Sequence, residues 1–168
     1  FNSKYQFNLK LIIYDKFVLG FPNRLKKYKK NKNIKFINKD LSKKFRINTG
    51  CDYLIHGASI ASPIFYRKYP IDTIKVNVLG LISILDTINS SEKKPNSIIF
   101  MSSSEVYGNP SLGNIPTKED YNGNVSFTGP RACYDESKRI GETICVNYFH
   151  KYKLPIKIIR PFNVFGPG

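Results

Sequence analysis

Short apolar runs alternate along this chain with longer stretches of helical periodicity. Leu9 to Tyr14 is an almost unbroken apolar run and predicts a buried strand that ends at Asp15. Ile34 to Ile37, Tyr53 to His56, Ser97 to Met101 and Ile156 to Ile159 predict four more strands. Phe21 to Lys30 carries a weak helical pattern. Pro70 to Ser90 carries the clearest one: Ile71, Ile74, Val78, Leu81, Leu85 and Ile88 recur at steps of 3 and 4, and Pro70 suits a first turn. A second long helix is predicted from Gly129-Pro130 to about Lys151, with Ile140, Ile144 and Tyr148 as its apolar stripe. Residues 102–129 are polar and rich in Gly, Pro and Asn, so they read as one long loop, a length that usually marks function.

Strands that alternate with helices imply βαβ units and a parallel sheet. Ligands of such sheets lie beyond the carboxyl ends of the strands. That rule directs attention to Asp15, Asp40, Ser59, Ser103 and Asn163. No internal repeat and no second domain boundary is visible.

Composition narrows the picture. The chain has 168 residues, 41% of them apolar, which suits one domain with one core. Its net charge is +15, and residues 24–46 hold most of the excess. Those lysines are interleaved with Asn and Ile rather than with stacking aromatics, so they read as a solvated face and not as a nucleic-acid site. A polyanionic ligand such as a dinucleotide would still profit from the field. Cys51, Cys133 and Cys145 are odd in number and lack metal-ligand spacing, which fits a reducing cytosol and no metal. No apolar run reaches the ~18 residues of a membrane span. Phe1 in place of Met, and a turn sequence at Gly166-Pro167-Gly168, lead us to expect a fragment.

The chemistry concentrates at Tyr134-Asp-Glu-Ser-Lys138, where Tyr and Lys share one helical face. A free Tyr titrates near ~10 and is a poor base at neutral pH. A nearby ammonium favours the phenolate. Such a Tyr can take a proton from a sugar hydroxyl as hydride leaves the same carbon. Alone, the spacing is weak, since Tyr and Lys pair by chance on many helices. It is joined by Met101-Ser-Ser-Ser-Glu-Val-Tyr-Gly108, which leaves a strand at its carboxyl end and can offer a hydroxyl to the same reacting group.

Three segments together resemble the extended short-chain dehydrogenase/reductase family, of the NAD-dependent epimerase/dehydratase type. They are Gly129-Pro-Arg-Ala-Cys-Tyr-Asp-Glu-Ser-Lys138, Ser102-Ser-Ser-Glu-Val-Tyr-Gly108 and Arg160-Pro-Phe-Asn-Val-Phe-Gly-Pro167. Ala58-Ser-Ile-Ala-Ser-Pro63 and Thr73-Ile-Lys-Val-Asn77 fit the same pattern, and the resemblance runs from about residue 9 to the end. It implies an α/β fold, a doubly wound Rossmann-like parallel sheet of strand order 3-2-1-4-5-6. The family's opening strand and its Gly-rich pyrophosphate turn have no counterpart before Leu9. Residues 1–168 would then be a partial NAD-binding domain, with a gap where the central strand belongs.

The resemblance also implies roles. Ser103, Glu105, Tyr134 and Lys138 would be catalytic. Ser103 would hydrogen-bond the sugar 4-hydroxyl, Tyr134 would be the base, and Lys138 would hold the nicotinamide ribose. Asp15 would bind the adenosine ribose and disfavour a 2′-phosphate, so the implied cofactor is NAD. Asp40 and Leu41 would frame the adenine, and Gly57 and Ala58 would pass beneath the cofactor. Lys75, Asn163 and Tyr66 would face the nucleotide-sugar substrate. The bland readings are turn-capping for Asp15 and Asp40, and a surface Lys for Lys75.

The Pro-Arg-Ala-Cys-Tyr-Asp-Glu stretch, with Ser104-Glu105, is most similar to UDP-glucuronate decarboxylases. A 4-epimerase comes second and a 4,6-dehydratase third. The parent is expected to be a homodimer, with the partner of the sugar carboxylate beyond Gly168. The alternative of another class is a catalytically idle Rossmann module that binds a nucleotide or a protein.

Overall fold

The computed structural model describes residues 9–43, 45, 47 and 50–166. The chain forms two compact units, divided between Leu41 and Ser42, with residues up to Phe165 in the second.

The first unit is a parallel pair, β1 (Leu11–Asp15) and β2 (Ile34–Asn38), in register from Leu11 opposite Ile34 to Asp15 opposite Asn38. β1 is not the buried strand its composition predicts: Leu11 and Ile12 are each 43% exposed. Among the described residues of the unit the sheet has only these two strands to shield one another. The weak helix predicted over residues 21–30 is a 3₁₀ segment, Asn23–Tyr28. Ahead of it, Phe21 meets Phe36 edge-on at 4.9 Å and Phe17 at 5.1 Å, which ties the connection to β2.

The second unit is built on β3 (Tyr53–His56), β4 (Ser97–Met101) and β5 (Ile156–Ile159), paired parallel in that order. These neighbours, and the β1–β2 pair, are the ones the expected strand order gives once β1 is counted as the family's second strand. His56 stands opposite Phe100, and Phe100 opposite Ile158, so these three share a sheet face. On the opposite face Tyr53 and Ile55 are exposed.

The helices are α1 (Pro63–Lys68), α2 (Pro70–Ile74), α3 (Leu81–Asn89) and α4 (Ala132–Tyr152). α1 went unread in the sequence, although Pro63 holds a first-turn position. The predicted helix over Pro70 to Ser90 is interrupted: a π-helical stretch, Lys75–Gly80, joins α2 to α3. Wide turns of this kind often accompany functional sites. Its predicted stripe holds only in the second half. Leu81, Ile84, Leu85 and Ile88 are buried, but Ile71 and Ile74 face out while Thr73, Asn77 and Gly80 face in.

The same correction applies to α4. Ile140 is exposed, and the buried face is Tyr134, Lys138, Gly141 and Cys145, at helical steps of 4, 3 and 4. The reason lies in Phe100. A Cβ on Gly141 would sit 2.6 Å from Phe100 Cζ, so the helix approaches the sheet along its smallest residue and brings its polar neighbours in with it. Residues 102–129 are largely irregular as expected, with short 3₁₀ turns at Ser104–Tyr107 and Leu112–Asn114.

Candidate active site

The site forms where β4 ends against the first turns of α4. Ser103 leaves β4 in extended conformation and caps the 3₁₀ turn that follows, its Oγ accepting from Glu105 N at 3.3 Å. Extension of the backbone through Ser102 is enforced by pairing with the exit of β5: Ser102 N donates to Ile159 O and Ser104 N to Pro161 O. The Ser103 side chain lies near enough to the Tyr134 phenol to favour its ionised form.

Tyr134 is buried, and its ring stacks on that of Tyr66 at 5.1 Å and 13°. Burial pushes its phenol up, and the neighbouring Ser103 side chain offsets this in part. Lys138 Nζ donates to Met101 O at 2.7 Å and lies 5.8 Å from the Tyr134 ring centre. Lys138 is 3% exposed, and loss of hydration pushes its ammonium down to about 8. An ammonium carries three donors, and the only bond Lys138 shows is the one to Met101 O. Its remaining capacity fits a group rich in hydroxyls, such as a ribose.

Glu105 forms an ion pair with Arg131, a residue singled out only as part of a motif. A second ion pair lies beside it. Arg160 grips Glu142 with two nitrogens, at 2.8 and 2.6 Å, while Ser102 Oγ donates to the same carboxylate at 2.5 Å. Arg160 also donates to Tyr107 OH at 2.9 Å and to Glu119 O at 2.7 Å. Its hydrogen bonds to Glu142 push its guanidinium up, so it stays charged. This cluster fastens the exits of β4 and β5 to α4 and leaves Arg160 engaged on every side.

The other sequence-derived residues are placed as follows. Tyr66 is 1% exposed and meets Tyr134 rather than solvent. Gly57 and Ala58 follow β3, and Ser59 Oγ is shielded without a hydrogen-bond partner. Lys75 and Asn163 are exposed. In the first unit, Asp15 is exposed at the end of β1 and its Oδ1 accepts from Phe17 N at 2.6 Å, the turn-capping its bland reading anticipated. Asp40 pairs with Lys16 at 2.9 Å, and Leu41 is buried.

Two residues of the second unit were quoted in the sequence only within a motif or a strand and given no role. His56 is 4% exposed beside Phe100, and burial lowers its imidazole to about 4, so it is neutral at physiological pH. Asn77, in the π-helical stretch, donates to Ser137 Oγ at 2.7 Å and keeps a shielded Oδ1 without a partner. For Asn77 the signals were a polar residue inside an apolar period and its place in the Thr73–Asn77 motif. No cluster of metal-ligating side chains exists among the described residues. Nor is any of their helices long and apolar enough to cross a membrane.

The sequence profile of the NAD dependent epimerase/dehydratase family matches residues 12–168. The chain belongs to that family. It is 37% identical over 157 residues to UDP-glucuronic acid decarboxylase 5 of Arabidopsis thaliana, covering 94% of this chain and 44% of that protein. It is 36% identical to UDP-glucuronic acid decarboxylase 1 of Xenopus tropicalis, covering 92% of this chain and 35% of that one. The chain thus spans less than half the length of these relatives. Among solved structures, the UDP-N-acetylglucosamine 4-epimerase of Methanobrevibacter ruminantium superimposes with a TM-score of 0.72 at 26% identity, over 94% of this chain and 48% of that one. The fold is Rossmann-like, as the segments of the sequence analysis imply.

Proposed function

We propose that the full-length protein is an NAD-dependent nucleotide-sugar enzyme that acts by transient oxidation at C4, and that its reaction is the decarboxylation of UDP-glucuronate. The observation that carries the reading is the meeting of Ser103, Tyr134 and buried Lys138 at the end of β4, with Glu105 held beside them. Similarity to UDP-glucuronic acid decarboxylases supports this choice of reaction.

Lys138 is the residue that would hold the cofactor, through ribose hydroxyls that its unused donors suit. Asp15 would take the adenosine ribose with its remaining oxygen, and a carboxylate there disfavours a 2′-phosphate. Asp40 and Leu41 would lie at the adenine, Gly57 and Ala58 beneath the dinucleotide. NAD, when bound, supplies a hydride acceptor that later returns what it took.

The remaining steps belong to the chain's own side chains. Ser103 hydrogen-bonds the sugar 4-hydroxyl, and Tyr134 takes its proton. Once C4 is a ketone, the C6 carboxylate is β to it. The C5–C6 bond then breaks, its electron pair passes into the enolate, and CO₂ departs. Glu105 stands by the ring for the return of a proton to C5. Lys75 and Asn163 contact the substrate, and Tyr66 contributes by fixing the plane of Tyr134. Arg160 is committed to Glu142, which supports a partner for the sugar carboxylate outside residues 1–168.

The full-length protein should be offered UDP-glucuronate, UDP-glucose and dTDP-glucose in parallel, with products weighed by mass spectrometry. Loss of one CO₂ from UDP-glucuronate, with no net change in NAD, is the expected result. Unchanged mass with an inverted stereocentre would transfer the reading to a 4-epimerase, and loss of water to a dehydratase. Cofactor bound with no sugar altered would leave an idle module.

We place the protein in the cytosol, where its three cysteines would stay reduced. We propose a homodimer, supported by the neighbouring exposed Val146 and Phe149 on α4. Sedimentation should then give twice the monomer mass, and a monomer at micromolar concentration would refute this.

A further inference from the structure

Arg139 follows Lys138 on α4, and the chemistry above makes no use of it. One of its nitrogens, Nη1, donates twice to the main chain: to Val106 O at 2.9 Å and to Asn122 O at 2.8 Å. Those two carbonyls lie far apart along the irregular stretch between β4 and α4. Val106 is buried in the 3₁₀ turn, next to Glu105. Asn122 precedes Gly123, whose missing side chain leaves room for the guanidinium: a Cβ there would lie 2.6 Å from Nη1.

We propose that Arg139 is a positioning residue: by stapling Val106 and Asn122 to α4, it fixes the backbone that aims Glu105 at the sugar ring for the return of a proton to C5. The inference rests on the decarboxylation proposed for this same site.

The other bonds of the turn leave this task open. Glu105 O accepts from Gly108 N at 3.1 Å, and Tyr107 O from Asn124 N at 2.9 Å. Asn109 N donates to Asn124 O at 3.0 Å. These bonds tie the loop to itself. Ser104 N and the Tyr107 hydroxyl tie the turn to the exit of β5, through Pro161 O and Arg160. Arg131 meets the Glu105 carboxylate but not its backbone. The bond from Arg139 to Val106 O is the one that refers the turn to the helix bearing Tyr134 and Lys138. A buried carbonyl deprived of its donor carries a desolvation cost, so Val106 O resists leaving Arg139. The guanidinium is planar and permanently charged, which suits one nitrogen to two carbonyls. Glu136 lies 3.6 Å from Arg139 Nε, but both side chains are more than a third exposed, so that ion pair adds little.

The staple should matter to one step more than to another. Oxidation at C4 uses Ser103 and Tyr134, which the pairing of β4 with β5 and the fold of α4 hold in place. Proton return uses Glu105, beside the stapled carbonyl. Loosening the turn at Val106 should therefore spare the first step and slow the second.

The test mixes the full-length protein, loaded with NAD, with UDP-glucuronate and follows NADH absorbance beside formation of the final sugar. Arg139→Met should form NADH within about twofold of the wild-type rate but complete the cycle about tenfold more slowly, so that NADH stands higher during turnover. Arg139→Lys restores a donor of shorter reach and should fall between the two. Glu136→Gln removes the ion pair, leaves both carbonyl bonds and should match the wild type. Hydrogen exchange of the cofactor-free proteins gives a second readout: in Arg139→Met the Asn109 and Asn124 amides should exchange about tenfold faster, with those in the middle of α4 unchanged. The inference is overturned by an Arg139→Met variant with the wild type's NADH level, by one whose oxidation slows as much as its whole cycle, or by unchanged exchange at those two amides. Accumulation of NADH in Glu136→Gln to the same level overturns it as well. Should the methionine variant not fold, the lysine variant decides: a wild-type NADH level refutes the staple. A wild type that releases no CO₂ from UDP-glucuronate refutes the proposed function instead, and the exchange measurement then decides the staple by itself.

Discussion

Tyr134→Phe in the full-length protein is expected to lower kcat by about a thousandfold while leaving the fold and NAD affinity close to wild type. The magnitude follows from what is removed: positioned proton transfer contributes about 10²–10⁴ in rate. Little else changes. The phenylalanine ring keeps its volume and its stack on Tyr66 at 5.1 Å. Loss of the phenol hydroxyl strands no partner, because Ser103 Oγ retains Glu105 N. The pH dependence of the wild type carries the same signature. Burial raises the Tyr134 phenol, so the reactive phenolate is scarce at neutral pH and kcat should climb as pH rises toward alkaline values. In Tyr134→Phe that climb should vanish with the activity. Single-turnover measurement of NADH formation, beside thermal unfolding of both proteins, provides the check. A variant that keeps more than a tenth of wild-type turnover would remove Tyr134 from the proton transfer.

How much of this was legible beforehand depends on what kind of signal each part leaves. β3 and β5 have the limits their composition predicts, and so does β4, because each is a short run of branched and aromatic residues closed by Gly, Ser or Arg-Pro. Parallel pairing followed from the alternation with helices. The orientation of the helices was not legible. Periodicity assumes that the apolar side of a helix is the inner one, and α4 violates that assumption where its chemistry lies. Tyr134 and Lys138 must face the sheet edge, and Gly141 must let Phe100 approach. The Pro70 to Ser90 region departs likewise, with Asn77 turned inward to meet Ser137 of α4. Its π-helical stretch shifts the phase between α2 and α3, which no fixed 3.6-residue period can anticipate.

The candidate site divides along similar lines. Tyr134 and Lys138 declare themselves by spacing on one helix, and Ser103 by its place after a strand. The ion pairs do not. Arg160 and Glu142 are 18 residues apart, and Arg131 finds Glu105 across a loop and an intervening bridge between Gly108 and Asn124. Gly108 there has φ of +63°, and a Cβ would collide with the Asn124 backbone. That one glycine folds the loop back so that its two ends can flank the same turn of α4. Charge pairing of this sort depends on tertiary approach, for which a single sequence holds no period or motif.

Lys138→Met should part stability from activity, making the protein more stable as it becomes nearly inert. Lys138 is 3% exposed, has no carboxylate against it, and sits at 5.3 Å from the Phe100 ring. Its ammonium falls from 10.5 to about 8 because the fold strips its water away. The sign of the linkage follows. Below pH 8 the lysine is charged both folded and unfolded, and the fold bears the full cost of burying the cation. Between 8 and 10.5 the folded protein has released a proton that the unfolded chain retains, so stability increases with pH across that window. Methionine fills a similar volume and carries no charge, so it removes the cost at every pH. The gain at neutral pH is on the order of 3 kcal/mol, less about 1 kcal/mol for the Met101 carbonyl left without its donor. Toward pH 10.5 the gain should fade, since the wild-type lysine is by then largely neutral. Activity should fall by about 10²-fold or more, because the residue proposed to hold the ribose can no longer donate, and NAD affinity should fall with it. Urea unfolding of the cofactor-free full-length proteins near pH 7 and near pH 10 measures both halves of the claim. A variant less stable than wild type near pH 7, or one whose advantage is the same at both values, would show that Lys138 is held by interactions strong enough to cancel its burial, and the reading of it as a cation with unspent donors would fail.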